Sequence, residues 1–263
     1  VYSVTPDGYY SWRRRGKSMR ALEDEALYQI IFKIWKRSSK VYGSPKITEQ
    51  MRSQGYRIGK KRVARLMREN GLKARVATLY KATPGLEAFV TSIPNRQLKV
   101  VADKTDKVWV GDVTYLKVDD AWRYLAVIMD KCSRKVIGWS LKSTRDSSLT
   151  LGALKQALRH RKPKAGLIFH SDRGIEYRAF KYSDRLAQRG IIQSMNRPRL
   201  MNDNAHMESF FHNLKAERIH GNEFMRDDTL RGVITEYIGF YNNRRLHSSI
   251  GYLPPAEYES RIN

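Results

Sequence analysis

The hydrophobic positions of the chain follow two different periods. Leu27, Ile30, Ile31, Ile34 and Trp35 recur at helical spacing and form one apolar stripe. Ser44-Pro45 reads as an N-cap with proline in the first turn. Ile47 and Met51 face inward from that second helix, and Gly55 stops it. A third helix is expected from about Lys60 to Asn70, with Val63, Leu66 and Met67 on its apolar side. Residues 76–104 contain Pro84, Gly85 and Pro94 and keep no sustained period. Beyond them the period becomes two: Val108, Val110, Asp112, Thr114, Leu116 and Val118 share one strand face. Asp119-Asp120 turns the chain into strands at Trp122–Met129 and Lys135–Leu141, an antiparallel meander. A helix over Ser147–His160, a strand over Gly166–Ser171, a helix near Phe180–Arg189 and a strand over Ile191–Met195 follow. Another helix begins near Asp203, and Leu230, Val233, Ile234, Tyr237, Ile238 and Tyr241 mark a last long one. Pro254-Pro255 and a polar tail close the chain.

These elements divide the chain into a small all-α region over 1–75, a linker over 76–104 and an α/β domain over 105–263 with a C-terminal helical extension. The second domain reads as three strands, helix, strand, helix, strand and helices, a mixed layer architecture.

Composition narrows the class. Hydrophobic residues make up 41% of 263, enough for a real core. No stretch approaches the roughly 18 apolar residues of a membrane helix. Val1–Arg20 has no apolar block and so no signal peptide. A single cysteine, Cys132, excludes an internal disulfide and a cysteine-only zinc site, and fits a reducing compartment. Val1 stands where a natural start would encode Met. A removed start, or an upstream region fused to this chain, would each account for it.

Charge changes the picture most. Fifty Lys and Arg stand against 26 Asp and Glu, a net +24. Solubility asks for only about 2–8 charges, so a polyanionic partner is expected, with nucleic acid first. Residues 1–97 carry 21 basic and 7 acidic residues; residues 98–263 carry 29 and 19. Lys60, Lys61, Arg62, Arg65 and Arg68 lie on the third helix. Three short helices with a basic last one suggest a helix-turn-helix entering a major groove. The plainer alternative is an amphipathic helix with a solvated basic face. Arg13, Arg14 and Arg15, in a basic and aromatic run, join the candidate DNA contacts, as do Arg244 and Arg245.

Three carboxylates stand out by position. Asp112 interrupts an apolar strand face, where an unpaired carboxylate is expensive. Asp172 ends a short apolar strand before Gly174. Glu208 lies on a helix, sharing a face with Asn204, Phe211 and Lys215. Taken singly, a salt bridge, a turn cap and a solvated carboxylate would explain them. Lys215 is a candidate DNA contact near the reacting end. His170 and His206 flank the site as weak ligand candidates, Tyr241 reads as core packing, and Asp130, Asp184 and Glu176 read as structural or solvated.

Their spacing adds a resemblance, for 35 residues lie between Asp172 and Glu208. Val108–Tyr115, Tyr124–Asp130, Ser133-Arg134-Lys135 and Gly138-Trp139-Ser140 resemble the first motif region of the IS3 family of insertion-sequence transposases. His170–Gly174 resembles the second motif. Asp203-Asn204-Ala205 with Met207–Phe211 and Leu214-Lys215 resembles the third, and Tyr241-Asn242 with Arg244–His247, Gly251-Tyr252 and Pro254-Pro255-Ala256 resembles the C-terminal signature. Tyr42-Gly43 and Arg65-Leu66-Met67 resemble the preceding helix-turn-helix. Ile175-Glu176, where a small polar residue and Gln are usual, and Met201-Asn202, where a Cys-aromatic pair is usual, depart from the pattern.

The resemblance implies a ribonuclease H-like core with a mixed five-stranded sheet and flanking helices, preceded by the small helix-turn-helix domain. It implies Asp112, Asp172 and Glu208 as catalytic and metal-binding residues. Two Mg²⁺ or Mn²⁺ ions would be held per active site in the DNA-bound state, because hard oxygen donors suit them. It implies cleavage at insertion-sequence ends and strand transfer by a 3′-hydroxyl, with terminal inverted repeats and target DNA as partners. A homodimer or larger assembly on DNA is expected, with an upstream-frame partner as a further candidate. The bacterial cytoplasm, at the nucleoid and away from membranes, is the expected location. A plain nuclease or other integrase, and a non-catalytic DNA-binding regulator, are the competing readings.

Overall fold

A computed structural model describes residues 5–14, 16–75, 93–197 and 201–262. The chain forms two compact units, Val1–Arg75 and Val76–Asn263.

The first unit is all helical: α1 (Pro6–Arg14), α2 (Met19–Arg37), α3 (Ser44–Ser53) and α4 (Lys60–Glu69). The Ser18 hydroxyl caps α2 by accepting from the Ala21 N–H at 3.2 Å. Ile31, Ile34, Ile47, Met51, Val63, Leu66 and Met67 are buried together as the core of α2, α3 and α4. One expected cap moves by a residue. Gly43 is the extended cap of α3, Ser44 already lies in the helix, and no side chain caps it. Pro45 in the first turn needs no N–H acceptor, which removes one of the orphan donors.

The second unit is built on a five-stranded sheet of order β3-β2-β1-β4-β5. Strands β1 (Val108–Val118), β2 (Ala121–Asp130) and β3 (Val136–Lys142) form the antiparallel meander. Strands β4 (Ile168–Ser171) and β5 (Ile192–Met195) add in parallel. The helix α5 (Ser147–His160) starts at Asp146, whose carboxylate accepts from the Ser148 and Leu149 N–H groups. A short α6 (Ile175–Arg178) precedes α7 (Phe180–Ala187). Trp109, Ala126, Ile128 and Phe169 on one sheet face pack with Leu149, Leu154, Tyr182 and Leu186. Gly138 allows the close approach of β3 and α5, because a Cβ there would stand 2.3 Å from the Ala153 carbonyl oxygen.

Val110, Leu116, Leu125 and Val127 are also buried and alternate with that set. They serve the other face. There α8 (Ala205–Leu214) packs beside β1 and α9 (Asp227–Asn243) beside β3. A 3-10 turn, Met201–Asn204, leads into α8, and one π-helical turn, Lys215–Ile219, leaves it. The rings of Phe210, Tyr237 and Tyr241 join α8 to α9.

The polar tail forms a last helix, α10 (Pro255–Ile262). Proline is tolerated at its first position, and its buried Glu259 accepts from Ser133 Oγ at 2.7 Å and Lys135 Nζ at 2.8 Å and also pairs with Arg161. Among the described residues, no helix is long and apolar enough to cross a membrane.

Candidate active site

The parallel pairing of β1 with β4 runs from Val108 opposite Ile168 to Gly111 opposite Ser171. Asp112 and Asp172 are the next residues on each side, so both carboxylates stand where the two strands part. Asp112 remains paired to Val127 of β2, which fixes its backbone. Gly111 is needed just before it, because a Cβ there would stand 2.6 Å from the Phe169 ring. The Val113 N–H donates to Asp112 Oδ1 at 2.8 Å, and the Gly174 N–H donates to Asp172 Oδ1 at 3.0 Å.

Burial raises the Asp112 carboxyl, and the Asp172 charge pushes it further, up to about 8. Burial raises Asp172 as well, against the Gly174 hydrogen bond and the Arg145 charge. Two carboxylates crowded in a poorly solvated place cannot both ionise cheaply. A cation between them would reverse that pressure.

Arg145 and Glu176 complete the surroundings. Arg145 Nε and Nη2 both donate to Glu176 Oε1, at 3.0 and 2.9 Å. The Glu176 side chain is 0% exposed and that of Arg145 45%. Glu176 Oε2 is buried and accepts no hydrogen bond. Glu176 adds negative charge beside Asp112 and Asp172, and Arg145 offsets it. Sequence reasoning missed Arg145 and read Glu176 as structural or solvated. The usable signal was Glu176 itself, a carboxylate where the resembling family carries an amide.

Glu208 is exposed on α8. One helical turn before it, the buried Asn204 donates through Nδ2 to the Gly111 carbonyl at 3.1 Å. Two turns after it, the Lys215 ammonium stands 4.6 Å from the Tyr115 ring centroid. Burial lowers the Lys215 ammonium, and the nearby Asp112 charge counters that. Asn204 and Lys215, on either side of Glu208 along the chain, thus both reach β1 beside the strand fork. Among the described residues, no three His, Cys, Asp or Glu side chains are gathered closely enough to hold an ion. The fold brings Asp112 and Asp172 together and leaves Glu208 apart from them.

His170 and Tyr241 are accounted for by packing, and His206 is half-buried. His170 is buried between Ser194 Oγ at 2.8 Å and Asn196 Oδ1 at 2.7 Å. Burial also lowers His206. Tyr241 is buried against Phe210 and His247. Asp130 accepts from the Asp106, Cys132 and Ser133 N–H groups and holds the turn after β2.

The candidate DNA contacts are unequal. Lys60, Lys61 and Arg68 are exposed on α4, and Arg13 and Arg14 are exposed on α1. Arg62 donates to Asp24 and Glu23, and Arg65 to Asp24 and Glu69, so both are drawn toward carboxylates of their own unit. Arg244 is exposed. Arg245 is 7% exposed and donates through Nε and Nη2 to the equally buried Glu217. Arg15 lies outside the described residues.

Comparison with known proteins adds what geometry lacks. Residues 102–200 and 208–262 each match a family model described as "Integrase core domain", and residues 21–78 match "HTH-like domain". The chain is 35% identical to "Transposase InsF for insertion sequence IS3A" of Escherichia coli (strain K12), over 99% of this chain and 92% of that protein. It is 35% identical to "Insertion element IS600 uncharacterized 31 kDa protein" of Shigella sonnei, over 100% of this chain and 97% of that one. Among solved structures, a simian T-cell lymphotropic virus intasome chain aligns with TM-score 0.52 at 14% identity, covering 83% of this chain and 70% of that chain. The HTLV-2 integrase catalytic core in complex with magnesium aligns with TM-score 0.47 at 18% identity, covering 59% of this chain and 97% of that chain.

Proposed function

The chain belongs to the IS3-type insertion-sequence transposases, and we propose that Asp112, Asp172 and Glu208 form its metal-dependent catalytic centre. The fold is the ribonuclease H-like integrase core, and the activity is that of a DNA transposase, a polynucleotidyl transferase. The reaction proposed is cleavage at the ends of the element, followed by transfer of the freed 3′-hydroxyl to a second strand.

One observation carries the site: Asp112 and Asp172 leave adjacent parallel strands at the same level, and burial holds both carboxyls above their ordinary range, Asp112 further by the Asp172 charge. Such a pair favours a divalent cation, and its donors are hard carboxylate oxygens of the kind Mg²⁺ and Mn²⁺ take. The buried, unpartnered Asn204 Oδ1 and Glu176 Oε2 are further acceptors close by. Asp112 and Asp172 would hold the metal, with Glu208 joining from α8. When bound, two such ions would activate the attacking oxygen and stabilise the leaving one.

The chain's own groups do the rest. Val113 N–H and Gly174 N–H fix the orientation of the two aspartates. Lys215 would orient a phosphate beside Asp112. The buried Tyr241 is not offered to a phosphodiester, which disfavours a covalent protein–DNA link. Lys60, Lys61 and Arg68 supply the exposed cations of α4 for terminal-repeat DNA, and two DNA ends held at once call for a dimer or larger assembly.

Replacing Asp112, Asp172 or Glu208 singly by Ala should abolish Mg²⁺-dependent nicking of the element's terminal-repeat DNA and preserve gel-shift binding. Full nicking by any of the three variants would sink the assignment. Calorimetric titration with Mn²⁺ separates the alternative of a DNA-binding regulator, which would bind DNA and no metal.

A further inference from the structure

Two large aromatic rings stand half in solvent a short way from Asp112. Tyr115 is 54% exposed and Trp122 50%. Their centroids are 5.2 Å apart and their planes stand at 89°. Tyr115 lies opposite Tyr124 and Trp122 opposite Lys117, so the two rings are diagonal neighbours on one face of the β1–β2 hairpin. Further along the same face, Val113 and Tyr124 pack against the core around α5. The hairpin therefore runs past that cover and leaves Tyr115 and Trp122 outside it.

Leaving two aromatic side chains half-exposed forfeits part of the burial that such residues normally gain. Their neighbour shows what they could face. Lys215 places its ammonium 4.6 Å from the Tyr115 ring centroid and is also close enough to Asp112 to feel its charge. Strand β4 pairs with β1 only as far as Gly111, so from Asp112 onward no β4 residue covers that edge. One lysine can thus serve both the aspartate and the aromatic pair. Tyr115 follows Asp112 by three strand residues, about 10 Å, so its ring leaves from the opposite sheet face and Lys215 joins the two around the uncovered edge. That distance is about three base steps at roughly 3.4 Å each.

We infer that Tyr115 and Trp122 form a stacking platform for an unpaired nucleobase of the DNA end within about three nucleotides of the reacting phosphate. Lys215 neutralises the adjoining backbone. Aromatic rings beside a cation bind single-stranded nucleic acid without reading its sequence. A frayed or nicked end presents such a base, and intact duplex does not. This inference rests on the active-site assignment made above, and adds to it a preference for substrate form.

The test uses the full chain without divalent metal, so that cleavage does not intrude. One probe is a blunt terminal-repeat duplex. The other is the same duplex with a 3′ overhang carrying 2-aminopurine. The wild-type chain should bind both and quench the 2-aminopurine fluorescence by stacking. Trp122→Ala and Tyr115→Ala should lose the quenching and weaken overhang binding on the order of tenfold. Blunt-duplex affinity should stay unchanged, and Trp122→Phe should keep part of the quenching. Unchanged quenching in both alanine variants, or equal losses on the two duplexes, would overturn the platform. So would a change in the sedimentation of the free protein in the variants, which would mean a second copy covers the rings. A wild-type chain that binds neither duplex refutes the DNA-processing site itself, whereas binding with an unquenched base refutes only the platform.

Discussion

Arg145 directs both Nε and Nη2 at a single oxygen of Glu176, Oε1, and the other oxygen, Oε2, stays buried without a partner. The pair lies beside Asp112 and Asp172, so its two charges act on the site with opposite sign. Arg145→Gln would strand a buried carboxylate. With Arg145 itself 45% exposed, the expected cost is about 1–3 kcal/mol. The same variant should bind Mn²⁺ more tightly, because a competing cation is gone. Glu176→Gln should bind Mn²⁺ more weakly, and the double variant should regain stability relative to Arg145→Gln. Thermal unfolding and calorimetry check these signs. Shifts of the same sign in both single variants would mean that the pair is structural only.

Arg245 and Glu217 make a second ion pair, with both side chains buried. Removing one partner of such a pair leaves an uncompensated charge. Arg245→Ala should cost about 3–5 kcal/mol in denaturant unfolding, and Arg245→Met, which keeps the packing volume, should cost less together with Glu217→Leu. DNA affinity of the folded fraction should not change. A loss of DNA affinity at unchanged stability would return Arg245 to the DNA surface.

Glu259 sets an acid limit. Burial pushes its carboxyl up, but hydrogen bonds from Lys135, Ser133 and Arg161 outweigh that and hold it below its ordinary value. A depressed carboxyl stabilises the fold above the unfolded-state pKa. That contribution is lost as pH falls through the folded value. Glu259→Gln should therefore be less stable than wild type near neutrality, and the gap should close below about pH 4. Unfolding midpoints across pH measure it. A gap that stays constant into acid would exclude Glu259 as the titrating group.

Much of this was legible in the chain, and the exceptions share a cause. The period-two run Val108–Val118 and the stripe from Leu230 to Tyr241 are long repeats, and they mark β1 and α9. Asp112 was conspicuous because it broke an apolar run. Glu208 had only its spacing and its motif, and the fold leaves it exposed on α8. The anchor of the polar tail could not be read in the chain, because Glu259 is held by residues more than ninety positions away. Arg62 and Arg65 show the same limit. Sequence gives the sign of a charge, but its partner comes from tertiary packing, here Asp24.

That difference among the basic residues of α4 yields the last prediction. Lys61 and Arg68 lie seven residues apart, two turns along one exposed face, and Lys60 precedes them. Arg62 and Arg65 lean on Asp24, and their guanidinium groups hold that carboxyl below its ordinary value through hydrogen bonds. If α4 meets DNA, Lys61→Ala and Arg68→Ala should each weaken binding across all sequences and lower the salt slope by about one counterion. Arg65→Ala should first loosen the packing of α4 on α2, seen as a lower unfolding midpoint of the intact chain, with a smaller change in salt slope. Gel shifts across a range of NaCl concentrations, run beside thermal unfolding, separate the two effects. Should Arg65→Ala flatten the salt dependence at unchanged stability, its pairing with Asp24 gives way to phosphate on binding. Should Lys61→Ala and Arg68→Ala leave the slope untouched, the DNA-facing surface of this unit is not α4.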